Sequence, residues 1–216
     1  RNEIQALNYN FITFGQKSYN GVAILSKYPV SDITYNLPNF SQDTQSRYIE
    51  GFVNFGKKGI RIASLYAPNG NPVNSEKYTY KIEWIKKFCK HAEKLLGFEE
   101  YTFLGGDFNI CPKSYDAADE NLLSNDAIYT ADVKNLYKNI LNFGYYDAFR
   151  SINPDIPGYT YWDYGQSFKN DIGVRIDHFI LSPYALDKVD KIYVDKEPRA
   201  WEKPSDHTPL VLEIEI

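Results

Sequence analysis

Asp107 and Asn109 stand two residues apart in the stretch YTFLGGDFNI, Tyr101 to Ile110. An extended backbone would turn both side chains to one side. An acid and an amide so placed can hold a hard cation or position a water, while the plainer reading of a lone D-x-N is an Asx turn closing a strand. Three further segments carry groups of the same kind: LYAPNG (Leu65 to Gly70), RIDHF (Arg175 to Phe179) and KPSDHTP (Lys203 to Pro209). Asp206 is a hard oxygen donor suited to Mg²⁺, and His207 suits proton transfer near neutral pH. Neighbours in a regular strand face opposite ways, so a turn at Pro204-Ser205 is expected to splay this pair. Tyr66 offers a phenol to a phosphate oxygen, although it is also one tyrosine among 19. Taken together, the four segments suit metal-assisted attack on a phosphate.

The elements that must position these groups follow from periodicity. Tyr101 to Leu104 is short, aromatic and apolar, as befits a strand covered on both faces, and Gly105-Gly106 lets the chain turn or lets another group approach closely. Oxygen-bearing side chains at the carboxyl end of such a strand lie where open α/β sheets place ligands. Other strand-like runs span 10–15, 21–26, 30–35, 47–55, 59–67, 175–181, 191–195 and 209–216. In the last, Leu210, Leu212, Ile214 and Ile216 alternate with Glu213 and Glu215, which reads as a half-buried strand. A helix is predicted from the N-cap Ser75 to the stop at Gly97, with Tyr78, Ile82, Ile85, Phe88, Cys89, Ala92, Leu95 and Leu96 at helical spacing, and a second over 131–142. The charges at its start, Lys77 and Lys81 beside Tyr80, read as a solvated face or as phosphate contacts. Many strands with few helices predict an α/β chain of two packed sheets with helices outside them.

The 216 residues, 43% of them hydrophobic, suffice for one substantial core, and no Pro/Gly/Ser-rich linker divides them. One domain over residues 1–216 is expected. No apolar run reaches the length of a membrane span, and the first residues lack the pattern of a signal peptide. The two cysteines, Cys89 and Cys111, form no C-x-x-C pair, which argues against zinc and a disulfide framework and fits a cytoplasmic location. A net charge of −4 counts against a non-specific nucleic-acid binder but not against an enzyme that grips phosphate locally. The absence of methionine and the opening on Arg1 suggest a chain that begins inside a longer protein.

LYAPNG, GGDFNI, RIDHFILS and WEKPSDHTPL, in this order, resemble the bacterial exodeoxyribonuclease III family within the endonuclease/exonuclease/phosphatase superfamily. YNGVAILSK near the start and YTYWDY at Tyr159 to Tyr164 extend the resemblance nearly end to end. It implies a four-layered α/β sandwich of two mainly antiparallel sheets flanked by helices. The implied activity is hydrolysis of DNA phosphodiesters with Mg²⁺, or Mn²⁺ in its place. The substrate is duplex DNA, cut 5′ to abasic sites or shortened from 3′ ends, by a monomer. The resemblance gives Tyr66, Asp107, Asn109, Asp177 and His207 catalytic roles, with Asp177 orienting His207. It assigns Asp107, Asn109 and Asp206 to the metal, and Arg47, Tyr66, Lys77 and Trp162 to DNA. Trp162 is expected in the wall of a pocket for a base-less sugar, against the plainer reading of a core aromatic. His178 is expected on the other side of its strand by alternation, as a packed or surface histidine. Two departures are plain. Gly165-Gln166 stands where many relatives carry a basic residue, and the amino-terminal elements with their metal-binding glutamate are missing, Glu3 lying in no matching context. The domain is therefore expected to be amino-terminally incomplete. An inactive DNA-binding fragment, or another phosphodiesterase or phosphatase of the superfamily, is the alternative.

Overall fold

The computed structural model describes Ile4 and residues 6–216; Glu3 lies outside the described residues. Hairpin β1 (Asn10–Gly15) and β2 (Gly21–Ser26) is followed by β3 (Val30–Tyr35), β4 (Tyr48–Asn54) and β5 (Gly59–Tyr66). Helix α1 (Glu76–Leu96) leads to β6 (Thr102–Asp107), then come α2 (Ala131–Asn142), β7 (Tyr146–Asp147) and α3 (Ala148–Ile152). The chain ends with β8 (Asp177–Leu181), α4 (Pro183–Leu186), β9 (Val189–Val194) and β10 (Leu210–Ile214). A six-stranded sheet of order β3-β4-β5-β6-β8-β7 is antiparallel throughout except for the parallel pair β5 and β6. Its parallel crossover is α1, which supplies the length that a parallel connection needs.

Both long helices start where the sequence places them. Ser75 Oγ accepts the N–H of Tyr78 at 3.3 Å, and Thr130 Oγ1 accepts that of Val133 at 3.5 Å. Their apolar stripes cover one face of the sheet, where Trp84 stacks on Phe88 and Phe88 meets Phe108 edge to face. A buried polar tie adds to this packing, since His91 Nε2 on α1 lies 2.8 Å from Glu50 on β4. The opposite face carries the hairpin β1-β2, through Val22, Ile24, Ile12 and Phe14, and the ribbon β9-β10, through Ile192, Leu210, Leu212 and Ile214. The class is α/β as expected. The second sheet of the expected sandwich stands, among the described residues, as two separate antiparallel ribbons. Strands β2 and β10 flank a groove floored by β5, β6 and β8.

Strand β6 runs further than its apolar residues suggest, through both glycines to Asp107. The glycines serve close approach and not a turn. A Cβ on Gly106, at φ +141°, would lie 2.0 Å from the Leu65 carbonyl oxygen, and one on Gly105 would lie 2.6 Å from the Phe179 ring. No helix among the described residues is long and apolar enough to cross a membrane.

Gly106→Ala is expected to cost on the order of 3 kcal/mol or more, because the clash is with backbone and the φ disfavours a side chain. Gly15→Ala, whose Cβ would meet nothing within 4 Å, is expected to stay within about 0.5 kcal/mol of the parent. Urea unfolding of the two variants checks this.

Candidate active site

Strand register assembles the site. Tyr66 pairs with Asp107 across β5 and β6, and Asp107 pairs with Asp177 across β6 and β8. Side chains alternate along a strand, so Tyr66 shares its face with Ile62, Asp107 with Phe103 and Gly105, and Asp177 with Phe179. That is the face bearing the two ribbons. Three functional groups from separate strands thus form one row at the sheet end. The residues between them face the helices, where His178 packs against Phe108 and Tyr137.

The ribbon side brings the fourth group. His207 Nδ1 lies 2.8 Å from Asp177 Oδ2, which leaves Nε2 as the nitrogen available to a substrate. Backbone zipping sets this approach: Trp162 N–H donates to the Asp206 carbonyl at 2.9 Å, Thr208 N–H to the Thr160 carbonyl at 2.9 Å, and Thr160 Oγ1 accepts the N–H of Asp177 at 3.1 Å. Burial pulls the His207 pKa down, but the hydrogen bond and charge of Asp177, with the charges of Asp107 and Asp206, outweigh it and raise it to about 9. Asp107 is pushed up to about 7 by burial and by the Asp177 carboxylate, against the pull of His207, the Asn109 N–H and Lys81. Burial and the Asp107 carboxylate likewise raise the Tyr66 phenol.

The stretch after β6 meets both sequence readings of D-x-N at once. Asp107 Oδ1 accepts the Asn109 backbone N–H at 2.8 Å, a genuine Asx turn, while Oδ2 accepts the Asn109 side-chain amide at 2.8 Å. Asn109 adopts φ +49°, so the extended path that would align the two side chains ends there. Phe108 between them is buried against Phe88 and Tyr137 and pins the turn to both helices. The Asn109 amide also donates to the Ala67 carbonyl at 3.0 Å, so both its N–H groups are spent on protein. Asn109 therefore ties the two loops together. This corrects its expected role as a donor to water or phosphate, while its side-chain oxygen faces the Asn69 amide at 3.5 Å.

Trp162 is the second correction. None of its surface is exposed. Its Nε1 donates to Asp171 at 3.2 Å, Phe168 packs edge-on, and Lys196 Nζ sits 5.1 Å from the ring centroid. It is a core residue, not a pocket wall. Its neighbour Tyr161, half-buried, lies edge-on to the His207 imidazole with centroids 5.1 Å apart and bridges to it through the backbone. Period-two alternation would set these adjacent aromatics on opposite faces. Arg47 and Lys77 line one polar cleft with Asn69 and Tyr80, beside the row of functional groups. Arg47 donates to the Tyr66 carbonyl at 3.0 Å, and its guanidinium lies 5.1 Å from the Tyr66 ring centroid.

Lys81 overturns the reading of a solvated face. It is wholly buried, and Nζ donates to the carbonyls of Asn69 at 2.9 Å and Asn109 at 2.6 Å. Its spacing from Trp84 and Ile85 placed it on the apolar stripe, a signal present in the sequence. Burial lowers its pKa to about 7, with Asp107 and Asp126 opposing. His178, 1% exposed, donates from Nε2 to the Ile110 carbonyl at 2.8 Å while Nδ1 receives the Arg175 guanidinium. Burial and Arg175 hold it neutral, near pKa 4.

Asp107 and Asp206 supply hard oxygens suited to a divalent cation, and the raised Asp107 pKa marks excess negative charge that a cation would relieve. Among the described residues no three His, Cys, Asp or Glu side chains converge as a cage. A cation that keeps most of its ligands as water and phosphate needs only one or two carboxylates.

Residues 2–207 match the Endonuclease/Exonuclease/phosphatase family. The chain belongs to that family. It is 27% identical to exodeoxyribonuclease III of Haemophilus influenzae, over 94% of this chain and 80% of that protein. The structure of a 3′ phosphatase, NExo, from Neisseria bound to a product DNA hairpin superposes with a TM-score of 0.95 at 31% identity, covering 100% of this chain and 82% of the other. An AP endonuclease from Archaeoglobus fulgidus gives a TM-score of 0.93 at 30% identity with the same coverage.

Lys81→Met should leave the buried Asn109 carbonyl and the Asn69 carbonyl without their donor and cost about 1–3 kcal/mol in unfolding free energy. Amide exchange should speed up at both Asn69 and Asn109, whereas loss of stability with unchanged local exchange would contradict the clamp.

Proposed function

We propose that this family member is a metal-dependent DNA phosphodiesterase of the exodeoxyribonuclease III type, acting on abasic sites and 3′ ends of duplex DNA. The observation that carries the proposal is the row Tyr66, Asp107, Asp177 with His207 held by Asp177. Each member has a distinct role. His207, raised to about 9, is an imidazolium at neutral pH and donates from Nε2 to the phosphoryl oxygen that gains charge. Asp107, level with Tyr66 and Asp177 in the row, accepts a hydrogen bond from the attacking water and positions it for attack. Asp177 fixes the imidazole, and Tyr66 donates its phenol to a non-bridging oxygen. Asn109 and Lys81 hold the two loops at a fixed spacing. Arg47 and Lys77 meet the phosphates of the flanking backbone, and Tyr161 offers the flat surface beside the reacting sugar.

Mg²⁺, with Mn²⁺ as substitute, would sit on Asp107 and Asp206. When bound it supplies charge neutralisation at the phosphate. The names of the relatives support DNA as the substrate, and the 3′ phosphatase among them keeps 3′-phosphate ends as a substrate to be measured. Both cysteines are buried and free, which supports a reducing, cytoplasmic setting. We take the working form to be a monomer.

The test uses duplexes bearing an abasic analogue, a recessed 3′ end or a 3′-phosphate. Incision and 3′ removal should require Mg²⁺ or Mn²⁺ and stop in EDTA. His207→Ala should lower turnover about 10²–10⁴-fold with little loss of DNA affinity. Activity confined to the 3′-phosphate would replace this reading with a phosphatase, and undiminished cleavage in EDTA would remove the mechanism.

A further inference from the structure

A second cavity, of about 480 Å³, opens beside α2 and shares none of its lining residues with the row of catalytic groups. Lys134 and Lys138 of α2 line it, Lys113 lines it from the loop after β6, and Arg150 and Arg175 complete the cationic wall. The one carboxylate in that wall, Asp147, is already engaged. Its Oδ1 accepts from Arg175 and the Arg150 backbone N–H, and its Oδ2 accepts from Tyr137 and Arg175. Both guanidiniums are committed as well, Arg175 to Asp116 and Asp147, Arg150 to Asp116 and to the carbonyls of Asn153, Pro154 and Ile156.

The three lysines differ in holding no carboxylate, although Lys134 Nζ lies 3.6 Å from the Tyr129 ring centroid and Lys113 Nζ 5.5 Å from that of Tyr115, contacts that leave their charge unneutralised. Among the described residues none of them is in an ion pair. Lys134 and Lys138 lie one turn apart, a like-charge spacing that disfavours the helix. The protein as a whole carries a charge of −4. A cationic cluster here is therefore local and not the overflow of a basic surface. The helix C-terminus lies one turn beyond Lys138, so attraction for an anion must come from the ammoniums and not from the helix dipole. Ammonium groups are point charges that suit the spread charge of phosphoryl oxygens, whereas a planar carboxylate is best met by a guanidinium fork, and neither fork here is free. Asn135 and Asn142 add amide donors to the wall. The volume falls within the range of small-ligand pockets.

We propose that this cavity binds a small phosphate-bearing anion, with Lys113, Lys134 and Lys138 taking the phosphoryl charge. Inorganic pyrophosphate and a deoxynucleoside 5′-monophosphate share that chemistry, and separate titrations distinguish them. Calorimetry is run on the parent, on His207→Ala and on the double variant Lys134→Gln/Lys138→Gln. Lys138 is exposed and Lys134 only half-buried, so the double variant is expected to fold, and its melting curve without ligand checks that. Saturable pyrophosphate binding is expected in the parent and in His207→Ala alike, at least tenfold weaker in the double variant, and weakened by salt. A monophosphate that binds in parallel identifies a nucleotide site, and one that does not identifies a site for inorganic phosphates. Three results overturn the proposal: no saturable binding at about 1 mM ligand, equal affinity in the double variant, or loss of binding in His207→Ala, which would put the anion in the catalytic site. The nuclease assay plays no part in this readout, so failure here and failure of the proposed function are separate outcomes.

Discussion

The register of three neighbouring strands governs this structure. Parallel pairing of β5 with β6 and antiparallel pairing of β6 with β8 bring Tyr66, Asp107 and Asp177 level. A slip of one residue would turn any of them into the helix-facing core. The register in turn depends on Gly106, where Leu65 of the adjacent strand passes too close for any side chain. Two glycines that in the sequence allow either a turn or a close approach are thus what lets three strands bring their polar ends together. The cost is a carboxylate row in a half-buried place, and the raised pKa values of Asp107 and His207 express that crowding.

Around this row the protein spends buried polar groups on rigidity. Lys81 and Asn109 join the loop after β5 to the loop after β6 through the carbonyls of Asn69, Asn109 and Ala67. Under β8, Arg175 is paired with Asp116 and Asp147 and touches His178, which in turn holds the Ile110 carbonyl. Each of these groups has a hydrogen-bond or ion-pair partner within the protein, as buried charge requires. The same arrangement fixes where Asp177 leaves the core, and hence where the Asp177 and His207 pair stands.

Much of this was legible in the sequence. The first helix followed from its cap and stripe, the second from its stripe alone, and the half-buried strand at the end followed from alternation. The row Tyr66, Asp107, Asp177 and His207 followed from four motifs read together. What escaped had physical reasons. Trp162 and Tyr161 are adjacent aromatics, and alternation says that they face opposite ways without saying which way is inward. Asn109 looked like a free amide because its partners, Ala67 and Asp107, lie across a turn that only the positive φ reveals. Lys81 sat in the apolar stripe, but a lysine there reads as surface until a buried acceptor is known. The short strand β7 and helix α3 carry too few residues for periodicity to register.

The central claim is that Asp177 holds His207 as a charged partner within the row. Titration of the His207 imidazole by NMR in the metal-free protein addresses it most directly. A pKa well above the ordinary histidine value, near 9, is the result the account predicts, with a fall towards the ordinary value in Asp177→Asn. The sign follows from the pair: a carboxylate at 2.8 Å favours the protonated ring, and its neutral amide replacement does not. An ordinary histidine pKa that is the same with and without the Asp177 carboxylate would contradict it.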